Sequence, residues 1–267
     1  MIGGVQTPGM EFHPIEGLTD SRRYFDYLVD EFGVATNGWW MAQHVKSGQP
    51  FLPCFTRATG DQWRVVPATA AAEAEWVNAV WDRISMLPRG TKVQSVPVEI
   101  WNEPNAMSGN DPGCHALLVK GLIAKARQAK RSDLCFLGPA VATEIVAKPY
   151  EYVDRYLASF SKADLAWLGL SFHFYPNPNW SRAAMMLALN LYVKRMPAAR
   201  CYITELGVGK LSATEDPIDA QAVEAIGRAV SAIKVVGIPL AHCWAWIDDQ
   251  SWMKSTGPYF EAIKGTK

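Results

Sequence analysis

Residues 96–104 read Val-Pro-Val-Glu-Ile-Trp-Asn-Glu-Pro, an apolar run that ends in polar residues and a proline. Val96, Val98 and Ile100 alternate with their neighbours, and a period of two is typical of a β-strand with one packed face. Pro104 lacks an amide proton, so it ends the hydrogen-bonded ladder and restrains the chain just after Glu103. The sequence therefore predicts a strand that presents Glu103 just beyond its end.

Similar strand-like runs recur along the whole chain and alternate with longer stretches of helical periodicity. The predicted strands cover Ile2 to Val5, Val34 to Trp39, Phe51 to Thr56, Val96 to Trp101, Leu134 to Gly138, Trp167 to Phe174, Arg200 to Glu205 and Leu240 to Trp246. Alternation of this kind is typical of βα units around a parallel sheet. Eight such units predict an α/β protein built as a single compact (β/α)8 TIM barrel.

The intervening stretches carry apolar residues three and four positions apart, as in amphipathic helices. These stripes are Tyr24-Leu28-Val29-Phe32 before Gly33, Trp76-Val77-Val80-Trp81-Ile84 before Pro88, and Val223-Ile226-Val230-Ile233 between Asp216-Pro217 and Gly237. Pro217 suits a first helical turn, and glycine suits the residue after a helix. The segment from 40 to 50 is short and polar, so we expect the second helix to be a single turn or absent.

An open doubly wound sheet would also alternate strands and helices, but it usually carries a phosphate-binding glycine loop after its first strand. No GxGxxG or Walker sequence occurs here, which favours the closed barrel. The chain has no repeat, low-complexity tract or linker rich in Gly, Pro or Ser. Its 267 residues therefore predict a single domain over residues 1–267.

Composition excludes several classes of partner. The 26 basic and 26 acidic residues balance, so no net field would attract nucleic acid or an anionic membrane. No apolar stretch approaches the roughly 18 residues of a membrane span, and no export signal is evident. The five scattered cysteines resemble reduced core residues. We expect a cytoplasmic protein, or one exported through a removed signal or released with a virion.

Polar and aromatic residues collect where the predicted strands end, which is where barrel enzymes place reactive groups. These residues are Trp39, Trp40, Arg57, Asn102, Glu103, His173, Tyr175, Glu205, Trp244, Trp246 and Asp248. Any one of them alone is more often a solvated rim residue or core packing. Their joint occurrence at successive strand ends instead predicts an active site.

The two glutamates, Glu103 and Glu205, provide what glycosidic cleavage requires: one group to protonate the leaving oxygen and one to attack the anomeric carbon or activate water. His173 and Tyr175 lie two residues apart, on one face of a strand, and so are candidates to hydrogen-bond a carboxylate. Tryptophan, present 11 times, suits the apolar face of a sugar ring. No HExxH or paired CxxC spacing occurs, so no metal is expected.

These residues resemble clan A of the retaining glycoside hydrolases. The resemblance rests on Trp101-Asn102-Glu103-Pro104, on Ile203-Thr204-Glu205-Leu206-Gly207, on Ser171-Phe172-His173-Phe174-Tyr175-Pro176 and on Cys243-Trp244-Ala245-Trp246. It implies double displacement without a cofactor, with Glu103 as acid/base and Glu205 as nucleophile. It further implies that Asn102 binds the substrate 2-hydroxyl, that His173 or Tyr175 orients the nucleophile, and that Trp244 floors the sugar subsite.

Within the clan, the His-x-Tyr strand and the tryptophan-rich eighth strand are most similar to β-xylosidases, α-iduronidases and bacterial exopolysaccharide endoglycosidases. The predicted second strand lacks the arginine of several family-5 cellulases, and Arg57 is the candidate in its place.

Two other functions compete with hydrolysis. A non-catalytic glycan-binding barrel usually loses one carboxylate, and both are present here. The other alternative is a different barrel enzyme. An aldolase needs a lysine at a strand end, where only Lys210 comes near, and a metal-dependent hydrolase needs metal-ligand spacing, which the sequence lacks.

Overall fold

A computed structural model describes residues 2–6, 21–25, 45–46, 51–56, 66–90, 95–106, 109–143, 148–208, 219–238 and 240–243. The strands are β1 Ile2–Gln6, β2 Ser21–Phe25, β3 Phe51–Phe55, β4 Val96–Ile100, β5 Leu134–Val141, β6 Leu168–Phe174, β7 Cys201–Leu206 and β8 Leu240–Cys243. The helices are α1 Ala70–Ile84, α2 Pro112–Gln128, α3 Pro149–Ala158, α4 Lys162–Leu165, α5 Arg182–Val193 and α6 Asp219–Val236. The protein is therefore α/β, with strands and helices alternating along the chain.

The chain divides into two compact units. The first comprises Met1–Arg22, Thr143–Ala147 and Phe172–Lys267, and the second comprises Arg23–Ala142 and Lys148–Ser171.

In the second unit, β4 pairs in parallel with both β3 and β5. The register places Cys54 opposite Glu99, and Val96 opposite Leu134. The Phe136 amide donates to the Trp167 carbonyl at 2.8 Å, just before β6 begins. The strand order in this unit is thus β3-β4-β5-β6.

In the first unit, β1 pairs in parallel with β2 and β8, and β8 pairs in parallel with β7. The Gly207 amide donates to the Phe174 carbonyl at 3.2 Å, which joins the end of β6 to the end of β7. Because neighbouring strands run parallel, residues that follow successive strands of one unit lie along the same edge of its sheet.

Strands β5 and β6 are buried along their whole length, as expected for parallel strands covered on both faces. Of the predicted stripe, helix α1 buries Trp76, Val77, Val80 and Ile84, whereas Trp81 is only partly buried. Each such side chain contributes about 1.5–3 kcal/mol when it leaves water. The Thr69 hydroxyl caps α1 by accepting from the Ala72 amide at 3.3 Å. The predicted α1 is confirmed.

Helix α6 also follows its prediction. Ile226, Val230 and Ile233 are buried and Val223 is partly buried. The helix ends before Gly237, whose φ of +82° lies in the left-handed region. Glycine adopts that conformation without a steric penalty, so it can end the helix there. The predicted cap, Asp216-Pro217, lies outside the described residues.

One predicted boundary is wrong. Tyr24, predicted to begin a helix, lies in strand β2, whose residues Ser21 and Arg22 pair with Val5 and Gln6. Aromatic residues favour strands, and a short aromatic run fits either periodicity, so the pattern alone did not decide. The predicted strand from 34 to 39 lies outside the described residues. The other predicted strands overlap observed ones, although β5 continues to Val141.

None of the described helices combines the length and the apolar character that a membrane crossing requires.

Candidate active site

The chain leaves β4 through a strained backbone. Trp101 has a φ of 73° and Glu103 a φ of 44°, and Ala140, near the end of β5, has a φ of 50°. Among the described non-glycine residues, Lys130 after α2 is the only other with a positive φ. Such conformations cost on the order of 1–3 kcal/mol each, and they cluster at functional sites. The strain in this unit is therefore concentrated around Glu103.

Backbone hydrogen bonds hold this strained segment from both neighbouring strands. The Trp101 amide donates to the Phe55 carbonyl at 2.7 Å, and the Glu103 amide donates to the Ala140 carbonyl at 3.0 Å. Ala140 is itself fixed, because its amide donates to the Ser171 hydroxyl at 3.1 Å. Glu103 is only 5% exposed, so its carboxyl group is largely withdrawn from water.

Buried rings support the end of β4 from behind. Trp101 lies against Trp76, with ring centroids 5.5 Å apart. Nε2 of His115, on α2, lies 3.0 Å from the Ile100 carbonyl. Burial lowers the pKa of His115 to about 4. The imidazole is therefore neutral at pH 7, and its Nε2–H donates to that carbonyl.

In the first unit, Glu205 lies near the end of β7 and is 4% exposed. The Tyr175 hydroxyl donates to Glu205 Oε2 at 2.7 Å, and His173 Nδ1 lies 3.3 Å from the same oxygen. A hydroxyl that donates to a carboxylate forms one of the stronger kinds of hydrogen bond in proteins. Two side chains from the end of β6 thus converge on one oxygen of a buried carboxylate.

Gly207 makes room for the Tyr175 ring. A Cβ atom placed on Gly207 would collide with ring carbons Cδ1 and Cε1 of Tyr175. The Gly207 amide also donates to the Phe174 carbonyl, which keeps the two chain segments close together. Any side chain at position 207 would therefore displace the ring whose hydroxyl reaches Glu205.

Glu103, His173 and Glu205 carry the oxygen and nitrogen donors that metal ions also use in proteins. The same groups can act as acid, base and nucleophile without a metal.

Comparison with solved structures finds several glucanases whose fold is similar to that of this chain. A mutant endo-β-1,3-glucanase of GH128 subgroup I from Amycolatopsis mediterranei, bound to laminaripentaose, matches with a TM-score of 0.61, 13% identity and 100% of both chains covered. A GH5 xyloglucan-specific endo-β-1,4-glucanase from a metagenomic library, bound to cellotriose, has a TM-score of 0.62 at 14% identity, with 94% of this chain and 84% of that chain covered. The chain shares their fold.

A GH5-4 broad-specificity endoglucanase from an uncultured bacterium has a TM-score of 0.61 at 15% identity, with 94% of this chain and 81% of that chain covered. No family model and no curated protein matches the chain.

Five of the site residues predicted from sequence lie in the described part of the chain. Asn102 and Glu103 follow β4 in the second unit, whereas His173, Tyr175 and Glu205 come together in the first. The other predicted site residues lie outside the described residues; they are Trp39, Trp40, Arg57, Trp244, Trp246 and Asp248.

Sequence reasoning missed the residues that support these carboxylates. They are Asn105, His115, Ser171 and Gly207. Asn105 directly follows the Asn-Glu-Pro motif, and asparagine often bonds to backbone groups in turns, so its type carried a signal. Gly207 follows Glu205 by two residues, and glycine often marks a close approach of another group. The sequence did not, however, indicate which group Asn105 bonds to or which group lies against Gly207.

Proposed function

We propose that this protein is a retaining glycoside hydrolase of clan A that cleaves β-linked O-glycosidic bonds in an oligo- or polysaccharide. Both units belong to a single (β/α)8 catalytic domain over residues 1–267, with Glu103 as acid/base and Glu205 as nucleophile. The observation that carries the proposal is the buried Glu205 carboxylate, whose Oε2 is contacted by Tyr175 and His173. A solvated rim glutamate would have neither its burial nor its two partners.

In the first step, Glu103 gives its proton to the glycosidic oxygen while a carboxylate oxygen of Glu205 attacks the anomeric carbon. The bond to the leaving group breaks, the alcohol departs and a glycosyl ester forms on Glu205. In the second step, a water molecule gives a proton to Glu103, and the water oxygen attacks the anomeric carbon. The ester bond breaks, which restores the Glu205 carboxylate and the protonated Glu103.

The contacts to Glu205 hold its carboxylate in place. Tyr175 and His173 both approach Oε2. Holding one oxygen fixes the plane of the carboxylate, and such pre-orientation lowers the entropic part of the barrier. Asn102, which is buried beside the acid, is the proposed ligand of the substrate 2-hydroxyl.

The comparisons suggest which substrates to test first. Two of the neighbouring structures are an endo-β-1,3-glucanase and a xyloglucan-specific endo-β-1,4-glucanase. β-1,3-Glucans, β-1,4-glucans and xyloglucan are therefore the first candidates. The finer resemblance to β-xylosidases, α-iduronidases and exopolysaccharide endoglycosidases stays a prediction, so xylosides and iduronides belong in the same panel.

Trapping the covalent intermediate tests the proposal. The intact protein is incubated with a panel of activated 2-deoxy-2-fluoro glycosides in the presence of EDTA. Mass spectrometry then measures the intact mass, and peptide mapping locates any adduct. We expect one sugar adduct, located on Glu205, and none on the Glu205→Gln variant. An adduct on another residue would contradict the assigned nucleophile.

If the panel gives no adduct and the polysaccharides release no reducing ends, hydrolysis is contradicted. Binding of the same polysaccharides, measured by calorimetry, would then favour the non-catalytic glycan-binding alternative.

A further inference from the structure

The turn that follows β4 is held by the side chain of Asn105. Its Nδ2 donates to the Ala142 carbonyl at 2.8 Å, and its Oδ1 accepts from the Ala142 amide at 2.9 Å. The carboxamide thus uses its donor and its acceptor on the two backbone groups of a single residue. Ala142 immediately follows β5, and its two polar groups are satisfied as a neighbouring strand would satisfy them.

This contact lies beside the acid. Glu103 bonds through its amide to Ala140, two residues before Ala142, and its carbonyl accepts from the Ala106 amide at 3.0 Å. The segment around Glu103 is therefore attached to the end of β5 at two points, once by backbone and once by the Asn105 carboxamide. Asn110 adds a separate brace, because its Nδ2 donates to the Pro104 carbonyl at 2.7 Å.

The backbone conformation explains why such an attachment is needed. Glu103 has a φ of 44° and Trp101 a φ of 73°, which non-glycine residues leave unless the surroundings hold them. Burial alone would not hold the turn, since Asn105 itself is only partly buried. Two hydrogen bonds with opposed donor and acceptor do fix it, because both are satisfied in only one orientation of the carboxamide.

We propose that Asn105 is a positioning residue, which holds Glu103 where its proton reaches the glycosidic oxygen. The proposal rests on the assignment of Glu103 as acid/base. Since proton transfer needs heavy atoms within about 2.6–3.2 Å, a small shift of the turn weakens acid catalysis. Attack by Glu205 on a substrate that needs no acid should be nearly unaffected.

The test compares two leaving groups on the glycone that labels Glu205. In the 2,4-dinitrophenyl glycoside, dinitrophenolate leaves as a stable anion without a proton, whereas the leaving sugar of the corresponding disaccharide requires one. For Asn105→Ala, we expect kcat/KM for the disaccharide to fall by about tenfold or more, and kcat/KM for the dinitrophenyl glycoside to stay within about threefold. Asn105→Asp, which has the same shape but places an oxygen against the Ala142 carbonyl, should show the same selectivity.

Thr69→Ala is the stability control, because it removes one hydrogen bond that caps α1 in the same unit. It should change neither rate. Equal losses on both substrates for the Asn105 variants would overturn the proposal, as would the absence of any loss.

Hydrogen exchange gives a readout that does not depend on activity. The backbone amides of the segment 101–106, in which Pro104 has none, should exchange faster in Asn105→Ala than in the wild type and in Thr69→Ala. If the wild type cleaves neither substrate, the proposed function fails, and unchanged exchange at these amides would then still overturn the positioning role.

Discussion

At Glu205, a phenolic hydroxyl and an imidazole nitrogen approach the same carboxylate oxygen, and the hydroxyl belongs to a residue just beyond β6. Period two along that strand made the pair His173 and Tyr175 visible in the sequence. The strand ends and the Asn-Glu-Pro motif made the two glutamates visible as well. The role of Asn105 could not be predicted in this way. Its partner is the backbone of Ala142, which lies 37 residues away and has no polar side-chain atom that would mark it in the sequence.

Tyr175→Phe should lower kcat by about tenfold to a hundredfold. A hydrogen bond to a charged group is worth about 1.5–3 kcal/mol, and each 1.4 kcal/mol corresponds to about tenfold in rate. Steady-state kinetics on the substrate established by labelling measure this effect. Tyr152→Phe is the matched control, because the Tyr152 hydroxyl is buried with no hydrogen-bond partner in the structure described here. A similar loss in both variants would contradict the role of Tyr175.

Gly207→Ala should lower kcat through the Tyr175 ring, and a double-mutant cycle isolates that route. In the wild type the added methyl group displaces the ring, whereas in Tyr175→Ala there is no ring to displace. We therefore expect Gly207→Ala to lower kcat when it is the only substitution, and to have almost no further effect in the Tyr175→Ala background. Additive losses would argue for a general structural role.

Gly227→Ala is the control for this cycle. A Cβ at position 227, inside α6, would meet nothing within 4 Å. Alanine is favoured over glycine in a helix interior by about 0.5–1 kcal/mol. Unfolding in urea should therefore show a small stabilisation, and turnover should not change.

At the scale of the elements, helices and strands that combine a regular period with a clear stop signal were predictable. Helix α6 has both, in its buried stripe and in Gly237. Strand β2 has neither: Tyr24 and Phe25 fit a strand and a helix equally well, and the pairing with β1 decided between them. That pairing is a tertiary contact, so it overrides a local preference that is worth less.

The contact between α2 and β4 gives a pH dependence. The pKa of His115 is lowered from 6.5 to about 4 by burial. The unfolded chain therefore takes up a proton between about pH 6.5 and pH 4 while the folded protein does not, so acid favours unfolding in that window. The free energy of unfolding has its full value above pH 6.5 and is lower by roughly 3 kcal/mol at pH 4, at 1.36 kcal/mol for each pH unit by which the pKa is lowered.

Urea unfolding of the wild type and of His115→Gln at pH 7 and pH 4.5 measures this effect. Glutamine can donate to the Ile100 carbonyl but does not titrate. We expect the wild type to lose more stability on acidification than the variant. Equal losses would mean that His115 does not cause the pH dependence.

At the scale of the whole molecule, the proposed retaining mechanism can be tested through the products of the reaction. Double displacement inverts the anomeric carbon twice, so a β-linked substrate first yields the β-anomer. Proton NMR of the first minutes of hydrolysis should show that anomer before mutarotation. Initial release of the α-anomer would contradict the retaining mechanism while leaving hydrolysis intact.

Because the φ of Ala140 is positive, we expect a substitution by glycine at this position to raise the melting temperature and to lower the rate of turnover. Glycine at that position would relieve a strain on the order of 1 kcal/mol, so Ala140→Gly should raise the melting temperature in calorimetry. The Glu103 amide, however, donates to the Ala140 carbonyl, and a more flexible residue 140 allows the Glu103 carboxyl group to occupy more positions. A laboratory lineage selected only for survival at high temperature would be expected to fix this substitution early and to become slower at its chemistry, whereas one selected for rate would retain alanine.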